Sequence, residues 1–200
     1  MPVPRRLLGG DPVDVAPTLL NKVLVHGARW GRIVEVEAYR GELDPASHAY
    51  RGPTGRNATM FGPPGHLYVY FTYGMHWCAN VVCGPQGVAG AVLLRALAPG
   101  GGLDEMRAAR PAARRDRDLC SGPAKLCQAL GLDRRHEGVD LVGGGEVVLA
   151  DDGTPPPESP GNGVRVGISV ATEEPWRWWV AGDPNVSAGP RRRPVRTPSG

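Results

Sequence analysis

Residues 89–99, AGAVLLRALAP, form an apolar run in which Arg95 is the single charged side chain. The run predicts a strand, and a period of two places Arg95 on the same face as Ala91, Leu93 and Leu97. An unpaired buried charge is very costly, so this arginine needs an acidic partner in the fold. The requirement constrains the chain strongly, because a second element has to bring a carboxylate to this strand.

The segment 32–39, RIVEVEAY, offers such a carboxylate. It alternates with period two and is predicted to pair with a strand at 23–27 across a turn bounded by glycine. One face would carry Val34, Val36 and Ala38, and the other Ile33, Glu35, Glu37 and Tyr39. We interpret Glu37, beside Tyr39, as the partner of Arg95. Such a pair could serve structure alone, or it could keep a general base ionised.

Aromatic residues concentrate in the stretch 67–80, LYVYFTYGMHWCAN, although the chain as a whole is only 6% aromatic. Strands at 67–72 and 76–83 predict a hairpin with Tyr73 and Gly74 at its tip. A ring at a turn has little core to enter. Tyr73 is therefore either exposed without a specific role or acts as a wedge that inserts into a binding partner.

The two strands of this hairpin carry further polar and aromatic candidates. Tyr68 and Tyr70 share one face of the first strand. Tyr70 by itself could be ordinary core filling, and Asn80 on the second strand could be a hydrogen-bonded core amide.

Long loops are expected, because 29 glycines and 21 prolines together make 50 of the 200 residues. The segment 40–66 has no sustained period and contains His48, Tyr50 and Met60. Loops beyond about 12–15 residues in compact domains are usually functional or disordered. We favour a functional loop, although a lone histidine such as His48 is more often a surface residue.

Capping signals predict helices at 14–22, 103–110 and 121–131. In the first helix, Asp14 is the candidate N-cap, Pro17 would lie in the first turn, and Val15, Leu19 and Leu20 would face the core. The last helix begins near Ser121 and Pro123, where free amides and Lys125 could seat a phosphate. Further strands are predicted at 146–152, within VRVGISV (164–170) and within WRWWVAG (176–182).

Charge and composition restrict the possible ligands and the cellular location, but they do not identify a function. The net charge of +3 and the pI of about 8.8 permit binding to DNA but do not require it. The four cysteines form no CxxC pair, and the five histidines do not lie at zinc-ligand spacing around them, so we expect no metal site. No apolar run resembles a signal peptide or reaches the about 18 residues of a membrane span, which predicts a cytoplasmic protein with free thiols.

We expect a single domain over residues 1–190, followed by a basic, disordered tail at 191–200. The tail sequence RRRPVRTPSG could add non-specific attraction to phosphates.

Several motifs occur together and in order: RIVEVEAY (32–39), SHAYRG (47–52), MFGPPGHLYVYFTYGMHWCANVV (60–82), VLLRALAP (92–99) and DLCSGPAKLCQALG (118–131). From about residue 12 to residue 187 the chain resembles the alkyladenine (3-methyladenine) DNA glycosylase family. The resemblance implies an α+β fold: a single mixed domain in which a curved antiparallel sheet, like an open barrel, is flanked by helices and extended by a protruding hairpin.

The resemblance also implies an activity. A member of this family would be a monofunctional glycosylase of base excision repair, flipping an alkylated or deaminated purine nucleotide out of duplex DNA. It would then hydrolyse the N-glycosidic bond without a metal or an organic cofactor.

Residue roles are carried over from the family by motif position. Glu37 would be the general base that activates water, and Arg95 would help to hold that water and Glu37. The remaining family assignments are Tyr39, His48 and Tyr70 around the flipped base, Asn80 against the amino group of guanine, and Tyr73 as the wedge with Met75 nearby. We add Met60, in the 40–66 loop, and Lys125, near the helix start, as DNA contacts. His76, Trp77 and the segment 171–179 depart from the family pattern, which bears on the range of lesions.

Two alternatives remain open: a bifunctional glycosylase with lyase activity, and a protein that binds DNA damage without cleaving it. Neither Lys22 nor Lys125 lies in a motif that marks an imine-forming nucleophile. Loss of Glu37 or Arg95 would have suggested a binding protein, and both are present. We expect the partner to be double-stranded DNA with damaged purines, and the protein to be a monomer, associated with the nucleoid if bacterial.

Overall fold

The computed structural model describes residues 1–189, so the predicted basic tail at 191–200 lies outside the described residues. The strands are β1 Val23–His26, β2 Arg29–Tyr39, β3 Leu67–Thr72, β4 His76–Val82, β5 Ala91–Gly101, β6 Val147–Ala150, β7 Gly161–Gly163 and β8 Arg177–Trp179. The α-helices of the described residues are α1 Pro12–Thr18, α2 Leu103–Ala109 and α3 Pro123–Leu130.

The eight strands form one antiparallel sheet, with the order β3–β4–β5–β2–β1–β6 along its main path. Strand β2 organises the sheet: β5 pairs along one edge, whereas β1 pairs with the first part of the other edge and β8 with residues 35–37. The sheet curls strongly into a half-barrel. The predicted α+β class, with a curved antiparallel sheet and flanking helices, is confirmed.

The hairpin of β3 and β4 is confirmed, with register partners running from Leu67 and Val81 to Thr72 and His76. The loop at 40–66 is irregular apart from 3₁₀ turns at Gly41–Leu43 and Ala58–Phe61. The hairpin occupies the β3 end of the sheet, and Tyr73 and Met75 at its tip are exposed.

Three register shifts interrupt the pairing of β2 with β5: one between Trp30 and Gly31, and two that flank Glu35. Val34 and Arg95 have no partner in the register, because Ile33 pairs with Leu97, Glu35 with Ala96, and Val36 with Leu94. An extra residue in one strand reorients the side chains that follow it. The prediction that Ile33 shares a face with Glu35 and Glu37 is therefore wrong, as is the grouping of Leu97 with Arg95: Ile33 and Leu97 belong to the main core.

Helix α1 begins earlier than predicted. Asp11, not Asp14, is the N-cap: its carboxylate accepts the Val13 N–H at 2.9 Å, and Pro12 occupies the first helical position. Pro17 consequently lies in the last turn rather than the first. The predicted core contacts of Val15, Leu19 and Leu20 are confirmed, since all three are buried.

The prediction of a strand at 164–170 is wrong. The short strand β7 lies just before it and pairs with β8, which forms within the predicted 176–182 segment. Residues 164–170 leave the sheet because their polar groups are engaged elsewhere: the Arg165 side chain pairs with Asp44, and the Val166 N–H binds Glu37.

Helix α3 packs on β4 and β5, and α1 packs on β2, so that one core joins the sheet to both helices. A smaller cluster of buried residues lies under the 40–66 loop and includes Met60 and Tyr68. All four cysteines are unpaired and buried. Within residues 1–189, no helix has both the length and the apolar character that crossing a bilayer requires.

Candidate active site

A cavity of about 590 Å³ opens between the sheet and two loop segments, 45–48 and 166–170. Strands β2 to β5 supply one side, and the loops supply the other. Among its lining residues are seven of the predicted site residues: Tyr39, His48, Met60, Tyr70, Tyr73, Asn80 and Arg95. Residues more than 50 positions apart in the chain thus meet at one site.

Glu37 lies directly beneath this cavity, with 0% of its surface exposed. Its Oε1 accepts the Val166 N–H at 2.7 Å and lies 3.2 Å from an Arg95 guanidinium nitrogen, while its Oε2 accepts the Tyr39 hydroxyl at 2.9 Å. All three partners line the cavity. The predicted contact between Glu37 and Arg95 is present, and only these neighbours separate the carboxylate from the cavity.

The pKa of Glu37 reflects opposing effects. Burial raises this pKa above its ordinary value, whereas the Arg95 charge and the hydrogen bonds from Val166 and Tyr39 act in the opposite direction. Burial also raises the pKa of Tyr39 well above its ordinary value, so its hydroxyl stays protonated and donates to Glu37. A carboxylate with a raised pKa is suited to accept a proton near neutral pH.

Glu35 is a site residue that the sequence analysis missed. Its Oε1 accepts a hydrogen bond from Arg95 Nε at 3.0 Å and lies 3.1 Å from Arg177 Nε, and its carboxylate also binds the Ser187 N–H (2.7 Å) and hydroxyl (3.0 Å). These contacts fix the Arg95 guanidinium between two carboxylates. The signal in the sequence was the spacing of Glu35 two positions before Glu37 on one strand.

His48 and Tyr70 form one wall of the cavity. Their rings meet edge to face with centroids 4.4 Å apart, and the Tyr68 hydroxyl lies 3.0 Å from His48 Nδ1. Burial and the nearby Arg56 lower the pKa of His48, so its ring is neutral at pH 7, and burial raises the pKa of Tyr68 to about 12. Tyr68 is a buried residue that also orients a wall of the site.

Asn80 and Met60 lie deeper in the cavity wall. The Asn80 side-chain amide donates to the Tyr68 carbonyl at 3.0 Å, so the residue is held in place and still lines the cavity. Met60 is only 2% exposed and packs in the smaller buried cluster. Met60 therefore lies in the wall of the cavity rather than on the exposed surface, and its contact with DNA stays a prediction.

Tyr73 lies at the hairpin tip with 80% of its surface exposed, and Met75 is 67% exposed. Tyr73 and Gly74 both have positive φ, of 51° and 66°, and the Met75 N–H donates to the Thr72 carbonyl at 3.2 Å. This is the arrangement of a type I′ turn, which favours Asn, Asp or Gly at the Tyr73 position. The chain places a bulky ring where it is both exposed and conformationally unfavourable.

Lys125 lies apart from the base-lining residues, at a second cavity of about 430 Å³. Its ammonium donates to the Ser121 hydroxyl at 3.2 Å, and Arg115 and Arg117 line the same cavity. Arg95 borders both cavities. A basic surface thus adjoins the candidate active site.

Within residues 1–189, one group of potential metal ligands comes together: His26, His136 and Glu146. The Nδ1 of His136 lies 3.1 Å from the Asp133 amide nitrogen and 3.3 Å from the Asp133 carbonyl oxygen, so this ring nitrogen is already engaged within its own turn. None of the three lines either cavity.

Comparison with known proteins points in the same direction as the geometry. The family model for methylpurine-DNA glycosylase matches residues 6–184. A Burkholderia lata protein is 58% identical over 193 residues, covering 96% of this chain and 93% of its own. A Streptomyces avermitilis protein is 50% identical over 204 residues, covering 96% and 95%. Both carry the provisional name 3-methyladenine DNA glycosylase.

Proposed function

Because this chain belongs to the methylpurine-DNA glycosylase family, it is a DNA glycosylase, and we propose that it flips a damaged purine nucleotide out of duplex DNA and hydrolyses its N-glycosidic bond. The observation that carries the proposal is the buried Glu37 carboxylate. It is paired with Arg95 directly beneath a cavity lined by aromatic rings.

Base flipping is supported by the location of the carboxylate. Glu37 lies below the cavity floor, where no base within a stacked duplex could reach it. The rings of Tyr39, His48 and Tyr70 offer stacking surfaces worth about 1–3 kcal/mol per base, which offsets the few kcal/mol needed to unstack a damaged base. His48 and Tyr70 contact each other, so the base would stack against this pair with Tyr39 supplying the further ring.

The hairpin tip supplies the wedge in this proposal. The exposed Tyr73 ring would enter the duplex from the minor groove and fill the gap that the extruded nucleotide leaves, with Met75 beside it. Lys125 and its arginine neighbours would contact the phosphate backbone through charge.

The chemistry needs one water molecule. Glu37 Oε2 accepts only the Tyr39 hydroxyl among the described contacts, so it has a lone pair left for a water that Arg95 would help to orient. The water oxygen attacks the anomeric carbon, its proton passes to Glu37, and the bond electrons of the glycosidic C–N bond leave with the base. A cationic alkylated purine departs as a neutral molecule, so the products are the free base and an abasic site.

Asn80 would give the site its selectivity. Its amide is fixed by the Tyr68 carbonyl and faces the cavity, where it would crowd the exocyclic amino group of guanine. Undamaged guanine would then fit poorly, whereas purines without that group would not meet the obstacle.

A monofunctional mechanism is favoured over a lyase mechanism. The Lys22 ammonium is 2.8 Å from Asp151, Lys125 borders the second cavity, and neither lysine lines the cavity above Glu37. An imine with the opened sugar would need an amine at that place. Borohydride treatment during turnover should trap no covalent adduct with DNA, and a trapped adduct would favour the bifunctional alternative.

Single-turnover assays test the proposal as a whole. Duplexes carrying 3-methyladenine, 7-methylguanine, hypoxanthine or ethenoadenine would be incubated with excess enzyme, and the released base measured. We expect release of at least the cationic 3-methyladenine and 7-methylguanine. 7-Methylguanine carries the amino group that Asn80 would crowd, but its positive charge makes it a better leaving group than undamaged guanine. Tight binding to these duplexes without any release would favour a damage-binding protein instead. Light scattering would test the predicted monomer.

A further inference from the structure

Asp44 and Arg165 form a buried ion pair beside the site, and the chemistry proposed above does not use it. Both side chains are 0% exposed. The contact has two bonds, at 2.5 Å to Asp44 Oδ2 and 2.9 Å to Oδ1. Fully buried ion pairs are uncommon because both charges have lost their hydration, so the pair calls for an explanation.

Arg165 connects three parts of the chain. Its guanidinium donates to the Ala38 carbonyl at 3.0 Å, at the end of β2, and lies 4.7 Å from the Tyr39 ring centroid and 5.0 Å from that of Trp176. Arg165 itself belongs to the 164–170 segment. Asp44 belongs to the loop that continues to His48, where its carboxylate also accepts the Ala46 N–H at 3.0 Å.

The residue after Arg165 is Val166, whose N–H donates to Glu37 Oε1 at 2.7 Å. The 164–170 segment has no strand pairing of its own to hold it in register with β2. Immediately before Val166, the ion pair of Arg165 with Asp44 anchors this segment to the rest of the fold. Any loosening of Arg165 would therefore change the distance between the Val166 N–H and the carboxylate.

Stability alone is a weak explanation for such a pair, because apolar residues of similar volume often stabilise a fold equally well. An apolar pair could not, however, fix orientation through directed bonds. The planar guanidinium has fixed donor directions and is gripped at the same time by a carboxylate, a carbonyl and two rings.

We propose that Asp44 and Arg165 are positioning residues for Glu37: the pair holds the 164–170 segment against β2 so that the Val166 N–H stays on the carboxylate. This inference rests on the proposed function of Glu37. The hydrogen bond favours the ionised form of Glu37, so its loss should make the base harder to ionise.

The groups that face Glu37 come from several elements: Arg95 on β5, Glu35 and Tyr39 on its own strand, Tyr70 on β3, and Arg177, its register partner on β8. Neither Asp44 nor Arg165 replaces any of these. Substituting the pair would therefore act on Glu37 mainly through Val166.

The test is the pH profile of single-turnover base release by the full-length Arg165→Lys and Asp44→Asn variants. Arg165→Lys keeps a cation beside Asp44 but loses the two-bond geometry. We expect the acidic limb of the profile to shift upward by about one pH unit, the size of one lost hydrogen bond to a charged group. Well above that limb, the rates should stay within about threefold of the unsubstituted protein.

The matched control is Asp152→Asn. Asp152 also binds an arginine through two contacts, Arg32 at 2.6 Å and 3.3 Å, and joins β2 to a loop, but neither residue belongs to the 164–170 segment or hydrogen-bonds to it. The control should leave the acidic limb in place.

Three results would overturn the inference: a loss of rate that is equal at every pH, an unshifted limb, or a failure of Arg165→Lys to fold as judged by circular dichroism. The last would make the pair a requirement of the fold rather than of the site. If the unsubstituted protein released no base, the proposed function itself would fail. An active protein with an unshifted limb would refute only the positioning role.

Discussion

Replacing Glu37 with glutamine tests the general base most directly, because the side chain keeps its shape and loses its charge. Removing a general base typically slows a reaction by about 10²–10⁴-fold, or about 2.7–5.4 kcal/mol at 1.36 kcal/mol per tenfold. The structure favours the upper end of this range. Glu35 is the nearest other carboxylate, but its oxygens are occupied by Ser187 and Arg95.

The same substitution has two opposing effects on stability. Burial raises the pKa of Glu37 in the folded state. Its contribution to stability is therefore greatest below the ordinary carboxyl pKa and is lost as the pH rises through the folded-state pKa. Glutamine removes a charge that burial disfavours, but it also removes one of the two carboxylates that neutralise the buried Arg95. We therefore expect Glu37→Gln to destabilise the fold by less than Glu35→Gln, which leaves both Arg95 and Arg177 with less counter-charge.

The assay combines single-turnover release of 7-methylguanine with thermal unfolding of the same preparations. Binding to a lesion duplex, measured by fluorescence anisotropy, should be retained, since Glu37 is not exposed in the cavity wall. Release within tenfold of the unsubstituted rate would refute the role of Glu37. A melting temperature below that of Glu35→Gln would refute the electrostatic reasoning even if release were lost.

Four further predictions concern the same site. Base release should fall as the pH is lowered, with a midpoint above the ordinary carboxyl pKa of 4.5, and a midpoint at or below that value would contradict the burial effect on Glu37. Glu35→Gln should destabilise the fold by about 3–5 kcal/mol in urea unfolding, because it leaves buried guanidinium groups with less counter-charge; little change would refute its bridging role. Tyr73→Asn should stabilise the fold by about 1 kcal/mol by relieving positive φ, yet weaken binding to abasic-site DNA, and unchanged binding would count against the wedge. Asn80→Ser should increase release of normal guanine, and no increase would remove its proposed role in selectivity.

Local patterns predicted much of this fold. Period-two alternation and the Tyr73–Gly74 turn specified the hairpin, because a strand's side chains report directly on which face is buried. The lone charge in β5 was also informative: a buried arginine needs an anion, and the nearby strand contained one. Such predictions succeed when a physical requirement, such as an anion beside a buried arginine, can be met by only a few nearby residues.

Contacts between distant loops could not be predicted in this way. The Val166 N–H is a backbone donor, so the residue type gives no sign that it binds Glu37, 129 positions away. The alternation in 164–170 even suggested a strand. There, the pairing of Arg165 with Asp44 overrides the local preference, and nothing in either residue's neighbourhood identifies the other.

The irregularities at Val34 and Arg95 explain why the candidate active site lies where the period-two alternation of β2 and β5 is interrupted. In an uninterrupted β2, Ile33 would fall on the same face as Glu35 and Glu37 and would bring an apolar side chain to the ionised network. The extra residue Val34 turns Ile33 into the core instead. On the facing strand, the extra residue is Arg95 itself, so its guanidinium is freed from strict alternation and can reach both carboxylates. The same interruptions that defeat a period-two prediction therefore allow one cation to hold two buried anions beneath a cavity.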